Sequence, residues 1–225
     1  SCEMKEIFEL SKQYGFKIIE DASHGIGGKY LGEPIGNCNY SDITVFSFHP
    51  VKIITSGEGG MCTTNSQEIA NLLCRFRSHG ITRQKHEMTK EPDGPWYYEQ
   101  LDLGYNYRMT DIQAALGLSQ LERLDDFIKK RHQIVKKYNL AFEAKPITTP
   151  FQDPNNYSSF HLYIIRIKNT GKGLTRLDLF KKLREAGILV NIHYIPIYKQ
   201  PYYQRIGYDS KEFIESEKYY EEAIS

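Results

Sequence analysis

Residues 17–61 read KIIEDASHGIGGKYLGEPIGNCNYSDITVFSFHPVKIITSGEGGM. Two apolar runs frame this stretch, Phe16–Glu20 and Ile43–Phe48. Each is short, rich in β-branched and aromatic residues, and bounded by turn formers, so both are predicted as buried strands. Asp21 closes the first run and Lys52 follows the second. A carboxylate and an amine therefore lie just past strand ends, where ligands bind in open α/β sheets.

One chemistry uses an Asp and a Lys that converge on a flat cofactor. Pyridoxal phosphate (PLP) forms a Schiff base with a lysine, while an acid partner holds its ring nitrogen protonated. A free lysine, with a pKa of about 10.4, is a poor nucleophile at neutral pH. Commitment of the amine to the cofactor removes that difficulty, and the freed amine can then carry a proton. On these two residues alone, Asp21 as a turn cap and Lys52 as a surface lysine is the plainer reading.

The longer pattern changes the balance. EDASHGIGGKYLGEPIG (20–36), SDITVFSFHPVK (41–52) and TSGEGGM (55–61) closely resemble the DegT/DnrJ/StrS family of PLP-dependent sugar aminotransferases. The resemblance resumes at GYNYRMTDIQAALGLSQL (104–121) and GILVNIHYIPIYKQPYY (187–203), in the family's order. It implies an α/β, fold-type-I PLP-dependent transferase with an aspartate aminotransferase-like fold. It also implies a fragment truncated at both ends, without the first phosphate-binding loop and the ring-stacking aromatic. Residues 1–144 would be the C-terminal part of the large PLP-binding domain with its connecting helix. Residues 145–225 would be an incomplete small α/β domain, beyond a Pro-rich boundary at 145–160.

The resemblance also implies roles. Lys52 and Asp21 would be the catalytic pair and would hold the cofactor. Ser47 would bond its phosphate, and His24 would lie near its phenolic oxygen. Asn106 would reach the cofactor phosphate of a partner subunit, in a homodimer with shared active sites. Arg108, His193 and Tyr194 would face the nucleotide sugar. Within the family, SFHPVK, FRSHGI and HYIPIY are most similar to members serving pseudaminic acid biosynthesis. The implied reaction moves an amino group from glutamate to C4 of a UDP-linked 4-keto-6-deoxy-N-acetyl-hexose. The alternatives are the perosamine or bacillosamine precursors, or a non-catalytic regulator that keeps the fold. The family's sugar dehydrases carry His where this chain has Lys52, which argues against them.

Composition is that of an ordinary soluble globular protein. The chain has 225 residues, 40% hydrophobic and 25% charged, with net charge +1. No strong field favours nucleic acid or an anionic membrane. No apolar stretch approaches the ~20 residues that span a bilayer. The basic run KKRHQIVKK (129–137) reads as a solvated helix face. Cys2, Cys38, Cys62 and Cys74 form no C-x-x-C pair and read as reduced cytoplasmic thiols. A zinc site at Cys62, Cys74 and His79 matches no standard spacing, so no metal is expected.

Further elements follow from pattern. A helix is expected over 3–14, ended by Gly15. Residues 25–37 read as a hairpin, with Pro50 forcing a turn ahead of Lys52. Glu58 reads as a turn residue. A strand over Met61–Thr64 should precede a helix to Arg77. Residues 82–100, with the lone Trp96, read as a mobile loop. Thr110–Gln113 is a capping box opening a long helix or helix pair to Phe142, with Ile112, Leu116, Leu121, Leu124 and Ile128 on its apolar side. Beyond it, a strand His161–Ile167, a helix Leu174–Ala186 and a strand Ile188–Ile192 are expected.

Overall fold

The computed structural model describes residues 2–167, 175–208 and 212–225. In chain order the elements are α1 (Met4–Tyr14), β1 (Ile19–Asp21), β2 (Lys29–Tyr30), β3 (Glu33–Pro34), β4 (Ile43–Ser47), β5 (Gly60–Thr63) and α2 (Gln67–Arg77). There follow β6 (Ile81–Thr82), β7 (Glu99–Gln100), α3 (Asp111–Leu121), α4 (Leu124–Phe142), β8 (Ile147–Thr148), β9 (Asn156–Tyr157) and β10 (Ile165–Ile167). The last are α5 (Arg176–Glu185), α6 (Pro201–Arg205), α7 (Ile214–Glu222) and β11 (Ala223–Ile224). The chain forms two compact units, 1–129 with 153–161, and 130–152 with 162–225.

In the first unit β1 runs parallel to β4, and β5 pairs antiparallel on the other side of β4. Burial alternates along β4, with Thr44 and Phe46 inside, and continues to Phe48 just beyond it. This period-2 pattern is what a strand with one face on the core requires. Ala22, Phe46, Phe48 and Ile54 form one core cluster. They adjoin Asp21, Ser47 and the Lys52 turn in sequence, so the core anchors the backbone that carries those residues. Met4, Ile18 and Tyr30 form a second cluster under α1. The hairpin β2–β3 is present, and β9 adds to it as a third strand.

Helix starts follow their caps. The Ser66 hydroxyl accepts from the Ile69 amide at 3.3 Å, opening α2. Thr110 and Gln113 form the reciprocal capping box that opens α3. The expected single apolar side of α3 and α4 is not buried as a stripe. Ile128 is buried at 3% exposure, whereas Ile112 is 85% exposed. The reason lies in the sequence of α3, DIQAALGLSQL, which is apolar on most positions and so defines no narrow face.

Residues 82–100 hold local order rather than forming an open loop. β6 pairs with β7, and Lys85–Glu87 makes a 3₁₀ turn. Two carboxylates organise the excursion. Glu87 meets Arg75 at 3.0 Å and accepts from the Thr82 hydroxyl at 2.5 Å. Glu99 accepts from the Thr89 amide at 2.7 Å and the Lys90 amide at 2.9 Å.

In the second unit the sheet order is β11–β10–β8. The expected strand His161–Ile167 shortens to β10, and the expected helix is α5. Its first expected residue, Leu174, lies outside the described residues. Residues 188–192 form no strand. Their one regular pairing is mutual, Asn191 with Ser225, at 2.8 and 2.9 Å. An apolar run reads as a strand, but here Leu189 is 81% exposed and no sheet neighbour lies along it. The sheet position is filled instead by β11, whose Ala223 and Ile224 are almost fully buried. Arg166 ties β10 to α7 through Glu222 at 2.6 Å.

Candidate active site

The carboxyl ends of the parallel strands β1 and β4 define the site. Asp21 is the last residue of β1 and pairs in register with Val45, so Ser47 stands two residues beyond it on β4. The Asp21 side chain is fixed locally. Its Oδ1 accepts from the Ser23 hydroxyl at 2.5 Å and the Ser23 amide at 3.0 Å. Those two bonds hold the carboxyl below its usual range against the opposing effect of burial, and the charges of His24 and Lys52 add lesser lowering. Asp21 is therefore anionic at neutral pH.

Ser47 projects from the face of β4 opposite Phe46. Its hydroxyl oxygen accepts from the His49 amide at 3.3 Å, leaving the hydroxyl hydrogen available to donate. The next residues turn as Pro50 dictates, with the Lys52 amide donating to the His49 carbonyl at 2.9 Å. The turn is anchored on both sides. Ile53 and Ile54, directly after Lys52, are 6% and 2% exposed. The Phe48 carbonyl accepts from the Ser56 amide at 3.1 Å and the Thr55 hydroxyl at 2.9 Å. The Phe48 amide donates to the Gly59 carbonyl at 2.8 Å. Gly59 has φ 157°, and a Cβ there would lie 2.4 Å from Ser56 Oγ, so no side chain fits. Glu58 is a turn residue, its carbonyl accepting from Ser56 Oγ at 2.8 Å.

Asp21, His24, Ser47 and Lys52 thus share one end of the β1–β4 pair. Asn106 and Arg108 belong to a different construction in the same unit. Residues 104–108 run antiparallel to 76–80, through the His79 amide on Tyr105 O at 2.8 Å and the Tyr107 amide on Arg77 O at 2.9 Å. A Cβ on Gly104 would lie 2.1 Å from the Gly80 nitrogen, so the two backbones touch only because both residues lack one. Asn106 and Arg108 side chains are exposed, and Tyr105 stacks on Tyr107 at 4.8 Å. His193 and Tyr194 belong to the second unit. His193 Nδ1 contacts the Ser225 hydroxyl, and the Tyr194 ring meets His193 edge-on at 4.7 Å.

Sequence reasoning missed several supporting groups. Ser23 was legible as an Asp-x-Ser turn, since the serine amide two residues on is the ordinary partner of such a carboxylate. Thr55, Ile53 and Ile54 carried only the generic signal of a polar–apolar boundary. Among the described residues no cluster of three or more His, Cys, Asp or Glu side chains can hold a metal ion. The four cysteines are free thiols, and no described helix is long and apolar enough to cross a membrane.

An anionic carboxylate, an amine and a hydroxyl donor thus lie at or just past the ends of the parallel strands. The whole chain, residues 1–225, matches the DegT/DnrJ/EryC1/StrS aminotransferase family and belongs to it. Enzymes of this family use PLP. The spore coat polysaccharide biosynthesis protein SpsC of Bacillus subtilis is 36% identical over the whole chain and 58% of SpsC. A UDP-4-amino-4,6-dideoxy-N-acetyl-beta-L-altrosamine transaminase of Campylobacter jejuni is 38% identical over 92% of this chain and 52% of that protein. Among solved structures, Helicobacter pylori PseC, an aminotransferase of pseudaminic acid biosynthesis, superposes with TM-score 0.84 at 31% identity, over all of this chain and 57% of PseC. The PLP form of Spr1654 from Streptococcus pneumoniae, described as a candidate sugar aminotransferase, gives TM-score 0.85 at 28% identity, over all of this chain and 59% of that one. The chain spans less than three fifths of the length of these relatives.

Proposed function

We propose that the protein carrying this chain is a PLP-dependent aminotransferase acting on a nucleotide-linked 4-keto-6-deoxy sugar. The observation that carries the reading is the joint placement of an ionised Asp21 and Lys52 at the ends of β1 and β4. The donor set fits the cofactor. Asp21 is anionic and can pair with a protonated ring nitrogen, Ser47 can donate to a phosphate oxygen, and Lys52 is the attachment point. When bound, the cofactor supplies an electron sink for the carbon that loses its proton. Lys52 Nζ would be the base that accepts a proton from the amino donor's α-carbon. Asp21, anionic, would hold a protonated ring nitrogen. Its Ser23 clamp fixes both the carboxylate's direction and its charge before any ligand arrives.

The finer assignments rest on the relatives. The Campylobacter and Helicobacter proteins are named for one 4-amino sugar, and on that ground we propose the UDP-linked 4-keto-6-deoxy-N-acetyl-hexose as acceptor; glutamate as donor follows the family resemblance. Perosamine and bacillosamine precursors are the nearest alternatives. A homodimer with shared sites would give Asn106 and Arg108 their roles, and His193 and Tyr194 would meet the sugar nucleotide. A soluble cytoplasmic setting agrees with this chemistry. The intact protein, assayed with glutamate against UDP- and GDP-linked 4-keto sugars, should aminate the UDP-N-acetyl sugar fastest. Faster turnover of a GDP sugar would replace the substrate assignment. No amination of any sugar by PLP-loaded protein would favour the regulator.

A further inference from the structure

The loop that carries His24 is gripped from a distant part of the chain. Residues 153–161 return to the first unit after the chain has left it. Their strand β9 pairs with β2, Lys29 opposite Tyr157 and Tyr30 opposite Asn156. The Leu31 amide extends this pairing by donating to Asn155 O at 2.7 Å. Past β9 the segment closes on His24 itself. Ser159 is 3% exposed, and its hydroxyl donates to the His24 carbonyl at 3.1 Å. The His161 ring lies against the His24 ring, with centroids 4.2 Å apart and planes at 49°.

The backbone between these two contacts is unusual. Phe160 has φ 49°, a left-handed conformation rare for an aromatic residue. Its side chain is buried at 7% exposure, and its amide donates to the Ser158 hydroxyl at 3.1 Å. A residue held in such a conformation indicates that the surroundings over-determine it, which is frequent beside functional sites. Here the consequence is visible: the turn at Phe160 lets Ser159 hold the His24 backbone while His161 holds its ring. The His24 side chain is exposed overall, and the His161 ring packs on it.

We propose that His161 is a positioning residue that sets the ring of His24 toward the bound cofactor. The inference rests on the reading of His24 as a cofactor contact. It adds to the site a residue far along the chain, which would act through the His24 ring.

The test uses the intact protein with PLP as the probe. His161→Ala, His161→Phe, His24→Ala and the double alanine variant are titrated with PLP by fluorescence. The absorption band of bound PLP is followed against pH for each. A ring–ring contact predicts that His161→Ala weakens PLP about threefold to tenfold and moves the pH midpoint of the band. His161→Phe keeps a ring in place and should recover most of the affinity. In the double variant the losses should not add, because both lesions remove one interaction. Suppose His24→Ala changes binding and spectrum while His161→Ala changes neither: the inference is then overturned and the reading of His24 stands. If neither variant has an effect, His24 is not a cofactor contact and both statements fall. Should His161→Ala misfold by circular dichroism, His161→Phe decides alone: wild-type affinity and midpoint support the contact, and a tenfold loss in a folded protein overturns it.

Discussion

Residues 19–60, which carry Asp21, His24, Ser47 and Lys52, and residues 188–198, which carry His193 and Tyr194, are held by different means. In the first region Asp21, Ser47 and Lys52 each sit beside a buried anchor. Asp21 is followed by Ala22, Ser47 lies between Phe46 and Phe48, and Lys52 is followed by Ile53 and Ile54. In the second, Ile188, Leu189, Tyr194 and Ile195 are all more than half exposed, and the run is tied down chiefly through Ser225. The first region is thus pre-organised by its own core. The second has its buried anchor at Tyr198, stacked on Phe213, and ties residue 191 to Ser225, while His193 and Tyr194 stand between these two points.

The largest effect expected from this contrast is at Lys52. Lys52→Ala in the intact protein should lower turnover by about 10²–10⁴-fold through loss of the proton carrier. A steady-state assay with glutamate and the UDP sugar measures it, and near-normal turnover would remove the first region's claim to the chemistry. Asp21→Asn comes next. It keeps shape but removes the charge, and should cost roughly a hundredfold in rate, about 3 kcal/mol of transition-state stabilisation. Unchanged turnover would make Asp21 only a turn cap. On stability the two regions should separate cleanly. Ile54→Ala should cost about 2–5 kcal/mol by creating a cavity, while Leu189→Ala, at 81% exposure, should stay within about 0.5 kcal/mol. Thermal melts of the 225-residue chain would show it, and equal losses would erase the distinction.

The smallest effect concerns acid. The Thr82 hydroxyl holds the Glu87 carboxyl below its usual range, with Arg75 assisting, and the Thr89 amide does the same for Glu99. A lowered folded-state pKa gives stability that is present above the unfolded value and lost as pH falls through the folded one. The 82–100 excursion should therefore loosen only below about pH 4. Trp96, the single tryptophan, lies within it and reports the change by fluorescence. A transition between pH 5 and 7 would show that these carboxylates do not hold it.

Much of the first region was legible in the sequence because its signals are local. Strand patterning placed Asp21 and Lys52, Pro50 predicted the turn, and the Thr110–Gln113 spacing predicted the cap that α3 shows. What was not legible depends on partners far along the chain. The packing of β9 on the hairpin and of Ser159 on His24 joins residues 135 positions apart, and neither end carries a motif for it. The strand expected at 188–192 failed for a related reason. An apolar run is a strand only if pairing continues along it, and here pairing is limited to Asn191 with Ser225, just past β11.

The central claim is that Lys52 holds the cofactor, and one measurement addresses it most directly. The PLP-loaded intact protein is reduced with borohydride, digested and mapped by mass spectrometry. The pyridoxyl mass should lie on the peptide containing Lys52, not on those containing Lys17, which pairs with Asp42 at 2.9 Å, or Lys29, which sits in the hairpin strand β2. Label on another lysine, or no label despite full cofactor occupancy, would contradict the account.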